Sequence, residues 1–399
     1  MRNIFTSTKK RFPNFRYFSS LPKAKEQIKK TILYDIHKKK NAIFKIFNGF
    51  YLPDEYKDDT LITSHLHTRS KCSIFDYTYR PILKISGNDK IIFLEKYIGS
   101  DIKGLWENEC RISFILKENG GILDDIVIIL KPEHLLVYLN IQCKEKVYKY
   151  LNGKLLENTK LDVKIEEYNT HSSICIQGCK STDVLNELIN DNTNVDEFSL
   201  MSSNICKLNN VDDCLLNRYT CTGEDGYDIL IPNKHVQDIY KCILNNSLVK
   251  PGGLAVLNTL RLESGFSVYG KDINENYTPI ESNYQWVLGN RRLKELDFNG
   301  ANIISDQIKN GTKNKRVGVI VNSNIVPKEN SKIYLNEKNQ ENYIGYITSS
   351  CFSPMLQKPI AMGYVNSSHS AVNNIVKVEC LDKLEEAQIT KMPFVPLSV

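Results

Sequence analysis

The sequence lacks any long apolar run. Its longest strongly apolar stretch, Ile126 to Leu130, is far short of the about 18 to 20 residues that a membrane-spanning helix needs. It also lacks a marked excess of one charge, since 52 basic and 46 acidic residues give a formal net charge of +6. Nucleic-acid-binding chains usually carry a clustered basic excess. We therefore predict neither membrane insertion nor a nucleic-acid partner, and the length of 399 residues argues for two or three domains.

Several motifs that would assign a chemistry are missing. The sequence has no Gly-x-Gly-x-x-Gly or Gly-x-x-x-x-Gly-Lys phosphate loop and no His-Glu-x-x-His zinc motif. Its 11 cysteines include no Cys-x-x-Cys pair, so a disulfide framework is not expected. His65-x-His67 and Cys175-x-x-x-Cys179 lack a second pair at zinc-site spacing. We predict no metal site and expect these side chains to be packed or solvated.

The first twenty residues are rich in hydroxyl and aromatic side chains, and no acid occurs before Glu26. Their basic residues are Arg2, Lys9, Lys10, Arg11 and Arg16. This composition predicts a mitochondrial transit peptide over residues 1–20, with a mature start near Ser19. Without these basic residues the net charge is about +1. A disordered basic tail is the alternative interpretation.

Hairpin signals outnumber crossover patterns, which predicts an α+β fold with mostly antiparallel sheets. The clearest hairpin joins strands at Arg111 to Leu116 and Ile122 to Leu130 through an Asn-Gly turn. Residues 306–316 are polar and contain glycine, as a linker does. They would separate a region over 31–305 from a small C-terminal all-β barrel or jelly roll over 317–396, for which we predict six short strands.

Two acids interrupt the apolar strand from Ile122 to Leu130. Because successive side chains alternate, Asp124 would share a face with Ile126, and Asp125 would share the other with Leu123. An unpaired carboxylate among apolar neighbours costs several kcal/mol, so it is usually hydrogen-bonded, raised in pKa or turned towards a polar ligand. The periodicity supports a general acid or base about as well as a carboxylate that caps turn amides.

Short segments in a fixed order run from about residue 31 to residue 396. They include Tyr34-Asp35-Ile36-His37, Ser64-His65-Leu66-His67-Thr68-Arg69, Gly120-Gly121-Ile122-Leu123-Asp124-Asp125, Thr222-Gly223-Glu224-Asp225-Gly226, Leu260-Arg261-Leu262-Glu263 and Lys391-Met392-Pro393-Phe394-Val395-Pro396. In this order they resemble the aminomethyltransferase (T-protein) family of the glycine cleavage system. Each segment alone is weak evidence, but so many in one order are specific.

The resemblance implies a three-lobed fold around a central folate pocket, with two intertwined lobes in the folate-binding region. It also implies a reaction in which tetrahydrofolate, as co-substrate, takes the methylene carbon from the aminomethyl group on the lipoyl arm of a partner, H-protein. Ammonia is released and 5,10-methylenetetrahydrofolate is formed, without a metal and in the mitochondrial matrix. The catalytic residue would be Asp125, which would orient folate N5 and mediate proton transfer.

The resemblance assigns further folate contacts. Asn140 would hydrogen-bond the pterin and Trp286 would line the glutamyl-aminobenzoate end, although an Asn ending a strand is often a turn residue and a Trp is most often core. Asp228 stands where the family has Glu and keeps a carboxylate for the pterin N–H groups. Cys221 stands where the family has Tyr, which removes area for a flat ligand.

Charge is also redistributed relative to the family pattern. Leu257 occupies the position of a ligand-contacting Arg, and Leu cannot replace a guanidinium. Arg80 occupies the position of a Met and could supply positive charge from another direction, and a C-terminal Tyr of some members falls on Val399. A catalytically weakened or inactive member that binds folate or H-protein is therefore the second hypothesis. The folate-binding iron–sulfur assembly relatives are disfavoured, because the chain has Thr222-Gly223-Glu224-Asp225 in place of their Lys-Gly-Cys-x-x-Gly-Gln-Glu segment.

Overall fold

The computed structural model describes residues 27–335 and 342–398. The predicted transit peptide, its processing site and Val399 lie outside these residues. Nine α-helices occur in the described ranges: α1 (Tyr34–Lys39), α2 (Leu61–Ser70), α3 (Lys90–Glu95), α4 (Lys144–Leu156), α5 (Ser181–Asn186), α6 (Val236–Leu244), α7 (Leu254–Glu263), α8 (Asn290–Glu295) and α9 (Ala301–Asn310). None of these helices is long and apolar enough to cross a membrane.

Twenty strands accompany the helices in the same ranges. Fourteen belong to open sheets: β1 (Lys29–Lys30), β2 (Ala42–Phe47), β3 (Phe50–Tyr56), β4 (Cys72–Tyr77), β5 (Ile82–Ser86), β6 (Cys110–Leu116), β7 (Ile122–Leu130), β8 (His134–Tyr138), β9 (Lys164–Glu167), β10 (His171–Gln177), β11 (Ser202–Leu208), β12 (Val211–Arg218), β13 (Gly226–Pro232) and β14 (Val249–Pro251). Six form a barrel: β15 (Asn314–Val321), β16 (Lys332–Tyr334), β17 (Tyr343–Ser353), β18 (Lys358–Asn366), β19 (Ile375–Cys380) and β20 (Lys383–Thr390).

Two larger sheets form the centre of the fold. One has the strand order β11-β12-β13-β10-β4-β14 and is antiparallel except where β14 runs parallel to β4. The other has the order β6-β7-β8-β5-β9 and is antiparallel throughout. The chain leaves the six-stranded sheet after β4, builds the five-stranded sheet and returns at β10. The predicted α+β class with mostly antiparallel sheets is confirmed.

Apolar side chains hold the two sheets together. Val127, Ile129 and Tyr138 of the five-stranded sheet pack in one cluster with Leu215 and Leu230 of the six-stranded sheet. Side chains of α3 and α4 cover the outer face of the five-stranded sheet, and those of α5 and α6 cover the outer face of the other. Burying each large apolar side chain contributes about 1.5 to 3 kcal/mol. The sheets therefore form a rigid base for the groups at their ends.

The strand predicted at Ile122 to Leu130 is confirmed as β7, but it contains a β-bulge. Its pairing with β6 shifts at Leu123, which is the extra residue. Leu123 packs in the same cluster as Ile126, away from the cluster that contains Val127. The prediction that Leu123 shares a face with Asp125 is wrong, because strict alternation ends at a bulge.

All six strands predicted in the C-terminal part exist. They close into an antiparallel barrel in the order β15-β18-β17-β16-β19-β20, which decides between the barrel and the jelly roll. Branched side chains such as Val319, Ile347 and Val376 fill its interior. The predicted linker at 306–316 is too long, because α9 and β15 occupy most of it and leave residues 311–313 as the connection.

A buried network of charges connects the barrel to the helices. Glu263, at the end of α7, lies 3.0 Å from His65 Nε2 and accepts from Arg69 Nη2 at 2.6 Å. It also accepts from the Ser353 hydroxyl of β17, and Arg69 pairs with Glu224 ahead of β13. Burial alone would raise the pKa of Glu263, but its partners outweigh burial and lower that pKa to about 2. One ionised carboxylate is thus shared by α2, α7 and the barrel.

We expect Glu263→Gln to destabilise the fold, because breaking a buried ion pair costs about 3 to 5 kcal/mol. Urea unfolding followed by circular dichroism measures the loss. Glu133→Gln, on an exposed turn, is the control and should change the free energy of unfolding by no more than about 0.5 kcal/mol. Since the folded-state pKa of Glu263 is lowered, its contribution is present above its ordinary pKa of 4.5 and should fade as pH falls towards about 2. Equal losses in both variants at neutral pH would contradict this role.

Candidate active site

The two acids of β7 are held by one amide. Asp124 is fully buried and Asp125 is partly exposed. The Asn140 side chain, just after β8, places its Nδ2 at 2.7 Å from an oxygen of each carboxylate. The Asn140 backbone N–H donates to the second Asp124 oxygen at 3.1 Å. Asn140 therefore fixes both acids, which a turn residue would not do.

The register of the five-stranded sheet creates this contact. Val127 of β7 pairs with Tyr138 of β8. Two residues further along each antiparallel strand, Asp125 comes opposite Asn140. The bulge at Leu123 bends β7 just before the acids. Strand pairing thus brings together two of the residues that the sequence comparison had singled out.

Both carboxyl groups have a raised pKa. Burial raises the pKa of Asp124 to about 8, and the charge of Asp125 adds to this, while hydrogen bonds from Asn140 and Cys143 oppose it. Burial also raises the pKa of Asp125, against the charge of Arg80 and the hydrogen bond from Asn140. Strongly interacting acids titrate as a pair. Near neutral pH this pair holds a proton, as a general acid requires.

A third buried acid lies on the other sheet. Asp228 of β13 is fully buried. Burial raises its pKa, while the charge of Arg80 and a hydrogen bond from Ser173 oppose the rise. The Ser173 hydroxyl donates to Oδ2, but Oδ1 has no hydrogen-bond partner among the described residues. Unpaired buried polar atoms are rare in proteins, so Oδ1 is available to a donor on a ligand.

Arg80 lies near the acids of both sheets, since its charge acts on the pKa of both Asp125 and Asp228, against burial. Its Nη1 donates to the Tyr219 hydroxyl at 2.9 Å. Its guanidinium carbon lies 5.3 Å from the centre of the Tyr138 ring. Tyr138 ends β8 and Tyr219 follows β12, so Arg80 contacts both sheets.

Exposure and loss of hydration together indicate that three of these groups line an enclosed space. Asp125, Arg80 and Cys221 each retain some exposed surface, yet loss of hydration acts on the pKa of all three. A side chain can be accessible and poorly hydrated when it lines a cavity. A concave site with a few converging polar groups is the usual form of a small-molecule site.

The pairs that resembled metal ligands are structural. His65 is buried against Glu263 at 3.0 Å, and His67 lies 3.1 Å from a backbone carbonyl. Cys175 is buried, whereas Cys179 is exposed. The packed or solvated roles predicted for these residues are confirmed. Within residues 27–335 and 342–398, no group of three or more His, Cys, Asp or Glu side chains is arranged to hold a metal ion.

Comparison with known proteins matches both parts of this fold. The GCVT N-terminal domain matches residues 33–292, and the glycine cleavage T-protein C-terminal barrel domain matches residues 314–396. The chain belongs to the T-protein family. The family and enzyme class predicted from the sequence are confirmed.

Individual T-proteins match over nearly the whole chain. The mitochondrial aminomethyltransferase of Homo sapiens is 36% identical over 376 residues, which cover 94% of this chain and 91% of that protein. That of Dictyostelium discoideum is 34% identical over 396 residues, covering 96% and 95%. The solved structure of glycine cleavage system aminomethyltransferase T from Bartonella henselae has a TM-score of 0.85 at 26% identity, covering 93% of this chain and 99% of that chain.

Trp286 lies at some distance from the acids. It is on a short 3-10 turn, Gln285–Val287, and 62% of its surface is exposed. Its ring centre is 5.9 Å from that of Tyr284, which packs at 5.3 Å against Phe114. Phe114 pairs with Asp125 across β6 and β7. Trp286 is therefore not part of the core. Tyr284 contacts both Trp286 and Phe114, and Phe114 is the cross-strand neighbour of Asp125.

The two apolar departures from the T-protein pattern pack against the same apolar cluster. Cys221 and Leu257 both border one cluster on the six-stranded sheet. The Cys221 sulfur lies 3.2 Å from the Tyr77 hydroxyl and 3.9 Å from the Cys175 sulfur. This wall of the cavity is apolar, while Arg80 carries positive charge elsewhere in the same space.

The sequence comparison missed several residues of this site. Tyr138 precedes Asn140 by two positions, so strand alternation already places both on one face. Ser173 gives no comparable signal, because its contact with Asp228 joins residues 55 positions apart. Contacts of that kind depend on the sheet order.

The proton held by the acid pair can be measured by infrared titration. Because burial raises the pKa of Asp124 to about 8, a protonated-carboxyl band should disappear as pH rises through about 8. Asp124→Asn should remove this component, and Asp212→Asn, at an exposed position, should not. Asn140→Leu should move the midpoint upwards, because it deletes hydrogen bonds that favour the ionised forms. Loss of every carboxyl band near pH ~4, the ordinary value for Asp, would contradict this assignment.

Proposed function

We propose that this chain transfers the methylene carbon from the aminomethyl-lipoyl arm of H-protein to tetrahydrofolate in the mitochondrial matrix. Ammonia is released and 5,10-methylenetetrahydrofolate is formed. The observation that carries the proposal is the partly exposed Asp125, raised in pKa and held by Asn140. The charge of Arg80 acts on it and on Asp228, whose Oδ1 has no partner among the described residues. Membership of the T-protein family supports the reaction. The mitochondrial names of the relatives support the compartment.

The chemistry requires careful control of protons. The methylene carbon loses its bonds to the lipoyl sulfur and the amino nitrogen, and it gains bonds to N5 and N10 of the folate. The amine must leave protonated, and N5 is a weak nucleophile. A carboxyl group that holds a proton near neutral pH can serve both steps, first as a donor and then as an acceptor. Asp125 is suited to this role because it is the member of the acid pair with exposed surface.

Asn140 is assigned a positioning role in this proposal. Its Nδ2 already donates to Asp124 and Asp125, so its oxygen is the atom left to accept from a pterin. Holding the carboxylate of Asp125 in one orientation keeps it aligned with N5, and alignment of reacting groups accounts for a large share of catalysis.

Asp228 is assigned the role of binding the hydrogen-bonding edge of the pterin. A pterin presents an amino group and a ring N–H on one side, and both are donors that a carboxylate can accept. The buried Oδ1 of Asp228 has no hydrogen-bond partner among the described residues, so it is available as an acceptor, and the nearby charge of Arg80 favours the ionised form. The exposed ring of Trp286 is assigned the aminobenzoate and glutamate end of the folate, where a flat apolar surface remains in contact with solvent.

A weakened or inactive T-protein is the second candidate. It is favoured by the apolar wall around Cys221 and Leu257, which offers a folate fewer polar contacts than the family pattern. Calorimetry with tetrahydrofolate separates the candidates. Binding at micromolar concentration or tighter supports the enzyme, and its absence supports the second candidate.

Asp125→Asn should lower the rate by about 10² to 10⁴-fold, the usual contribution of a general acid or base. The assay combines purified protein, tetrahydrofolate and aminomethylated H-protein, and it follows ammonia and methylenetetrahydrofolate. Asp212→Asn, an exposed change of the same kind, is the control and should retain the rate. Folate affinity should remain within a few-fold, because Asn keeps the size of the side chain. A variant as fast as the control would exclude Asp125 as the proton-transfer group.

Asp228→Asn should weaken folate binding by about 10- to 100-fold, since a hydrogen bond to a charged group contributes about 1.5 to 3 kcal/mol. Calorimetry with tetrahydrofolate measures the change in Kd. Asp238→Asn, on the exposed side of α6, serves as the control. An unchanged Kd in Asp228→Asn would show that the pterin edge binds elsewhere.

A further inference from the structure

Two thiols face each other at the apolar wall of the cavity. Cys175 lies on β10, and Cys221 lies in the loop between β12 and β13. Their sulfur atoms are 3.9 Å apart. Cys175 is buried, whereas Cys221 is partly exposed. A disulfide requires about 2.05 Å, so side-chain rotation with a small shift of the loop would close the gap.

The surroundings make the two sulfurs unequal. The hydrogen bond with Cys175 lowers the pKa of Cys221, and the Tyr77 hydroxyl and the charge of Arg80 act in the same direction against burial. Burial raises the pKa of Cys175. The thiolate is the reactive form of cysteine, so Cys221 is suited to attack an oxidant and Cys175 to react second.

A second pair in the same sheet provides an internal comparison. Cys206 of β11 and Cys214 of β12 are directly opposite in the antiparallel register. Both are buried, and burial raises the pKa of each to about 12. Proximity alone therefore does not distinguish the two pairs. What distinguishes the Cys175–Cys221 pair is the partial exposure of Cys221 and its polar neighbours.

We propose that Cys221 and Cys175 form a peroxide-sensitive pair that closes into a disulfide. The Cys221 thiolate attacks one oxygen of hydrogen peroxide, the O–O bond breaks and hydroxide leaves. Cys221 is then a sulfenic acid. The Cys175 sulfur then attacks the Cys221 sulfur, the S–O bond breaks, and the hydroxyl leaves as water with the Cys175 proton. Two thiols are oxidised, and the peroxide is reduced to two molecules of water.

Closure of the disulfide has a consequence for the site, which rests on the proposed function. Cys221 is two residues after Tyr219, whose hydroxyl accepts the hydrogen bond from Arg80. Linking the loop to β10 removes the Cys221 contact with Tyr77. It also displaces Tyr219 and so weakens its hydrogen bond with Arg80. Oxidation should therefore weaken folate binding by at least about 10-fold and be reversed by a thiol reductant.

The direct test does not depend on folate. Full-length purified protein is treated with hydrogen peroxide, free thiols are alkylated, and peptides are mapped by mass spectrometry without reduction. The expected product is a peptide pair joined through Cys175 and Cys221, lost on reduction and absent in Cys221→Ser. It should persist in Cys179→Ser, which removes an exposed thiol, and Cys206 and Cys214 should remain alkylated.

Three results would overturn the proposal. They are oxidation of Cys179 without a Cys175–Cys221 link, sulfinic acid at Cys221 as the stable product, and equal crosslinking of the Cys206 and Cys214 pair. Calorimetry before and after oxidation then tests the consequence for folate. A wild-type chain that forms the disulfide but never binds folate would refute the proposed function and leave the thiol pair established.

Discussion

Three buried or half-buried carboxyl groups, Asp124 and Asp125 of β7 and Asp228 of β13, are the constraint on which the centre of this protein depends. A buried charge costs several kcal/mol unless it is protonated, hydrogen-bonded or paired. Asp124 keeps its proton because burial raises its pKa to about 8. Asp125 is hydrogen-bonded by Asn140, and the charge of Arg80 offsets part of the effect of burial on the pKa of Asp228. The same arrangement leaves a proton on the Asp124–Asp125 pair and an unpaired acceptor at Asp228 Oδ1. These are the groups that the proposed reaction uses.

The barrel supports this centre from a distance. Ser353 of the barrel donates to Glu263, which binds Arg69, which in turn pairs with Glu224. Glu224 lies in the same loop as Cys221, between β12 and β13. Because breaking any buried link leaves a charge without compensation, the network fixes the loop against the barrel and α2. The C-terminal domain thus supports the loop that carries Cys221, although none of its described side chains bonds to the acid pair.

The sequence predicts local features of this protein better than contacts between distant segments. Alternating apolar residues were enough to find β7 and all six strands of the barrel, and the ordered motifs singled out Asp125, Asn140 and Asp228 as candidates. The bulge at Leu123 was missed, because it depends on the register with another strand. The contact of Arg80 with Tyr219 was missed for a similar reason, since it joins residues 139 positions apart. Because residues 306–310 are polar, they were predicted as linker, although they form the end of α9.

Arg80 and Leu257 change how the site uses charge. An Arg at position 257 would lie against the apolar cluster that Cys221 also borders, whereas Arg80 lies near Asp125 and Asp228. From there its charge opposes the effect of burial on the pKa of both acids. Asp125 is then a stronger acid than burial alone would allow, and Asp228 accepts hydrogen bonds more strongly in its ionised form. Relative to the family pattern, position 257 has lost its positive charge, and the charge of Arg80 lowers the pKa of the two acids against burial.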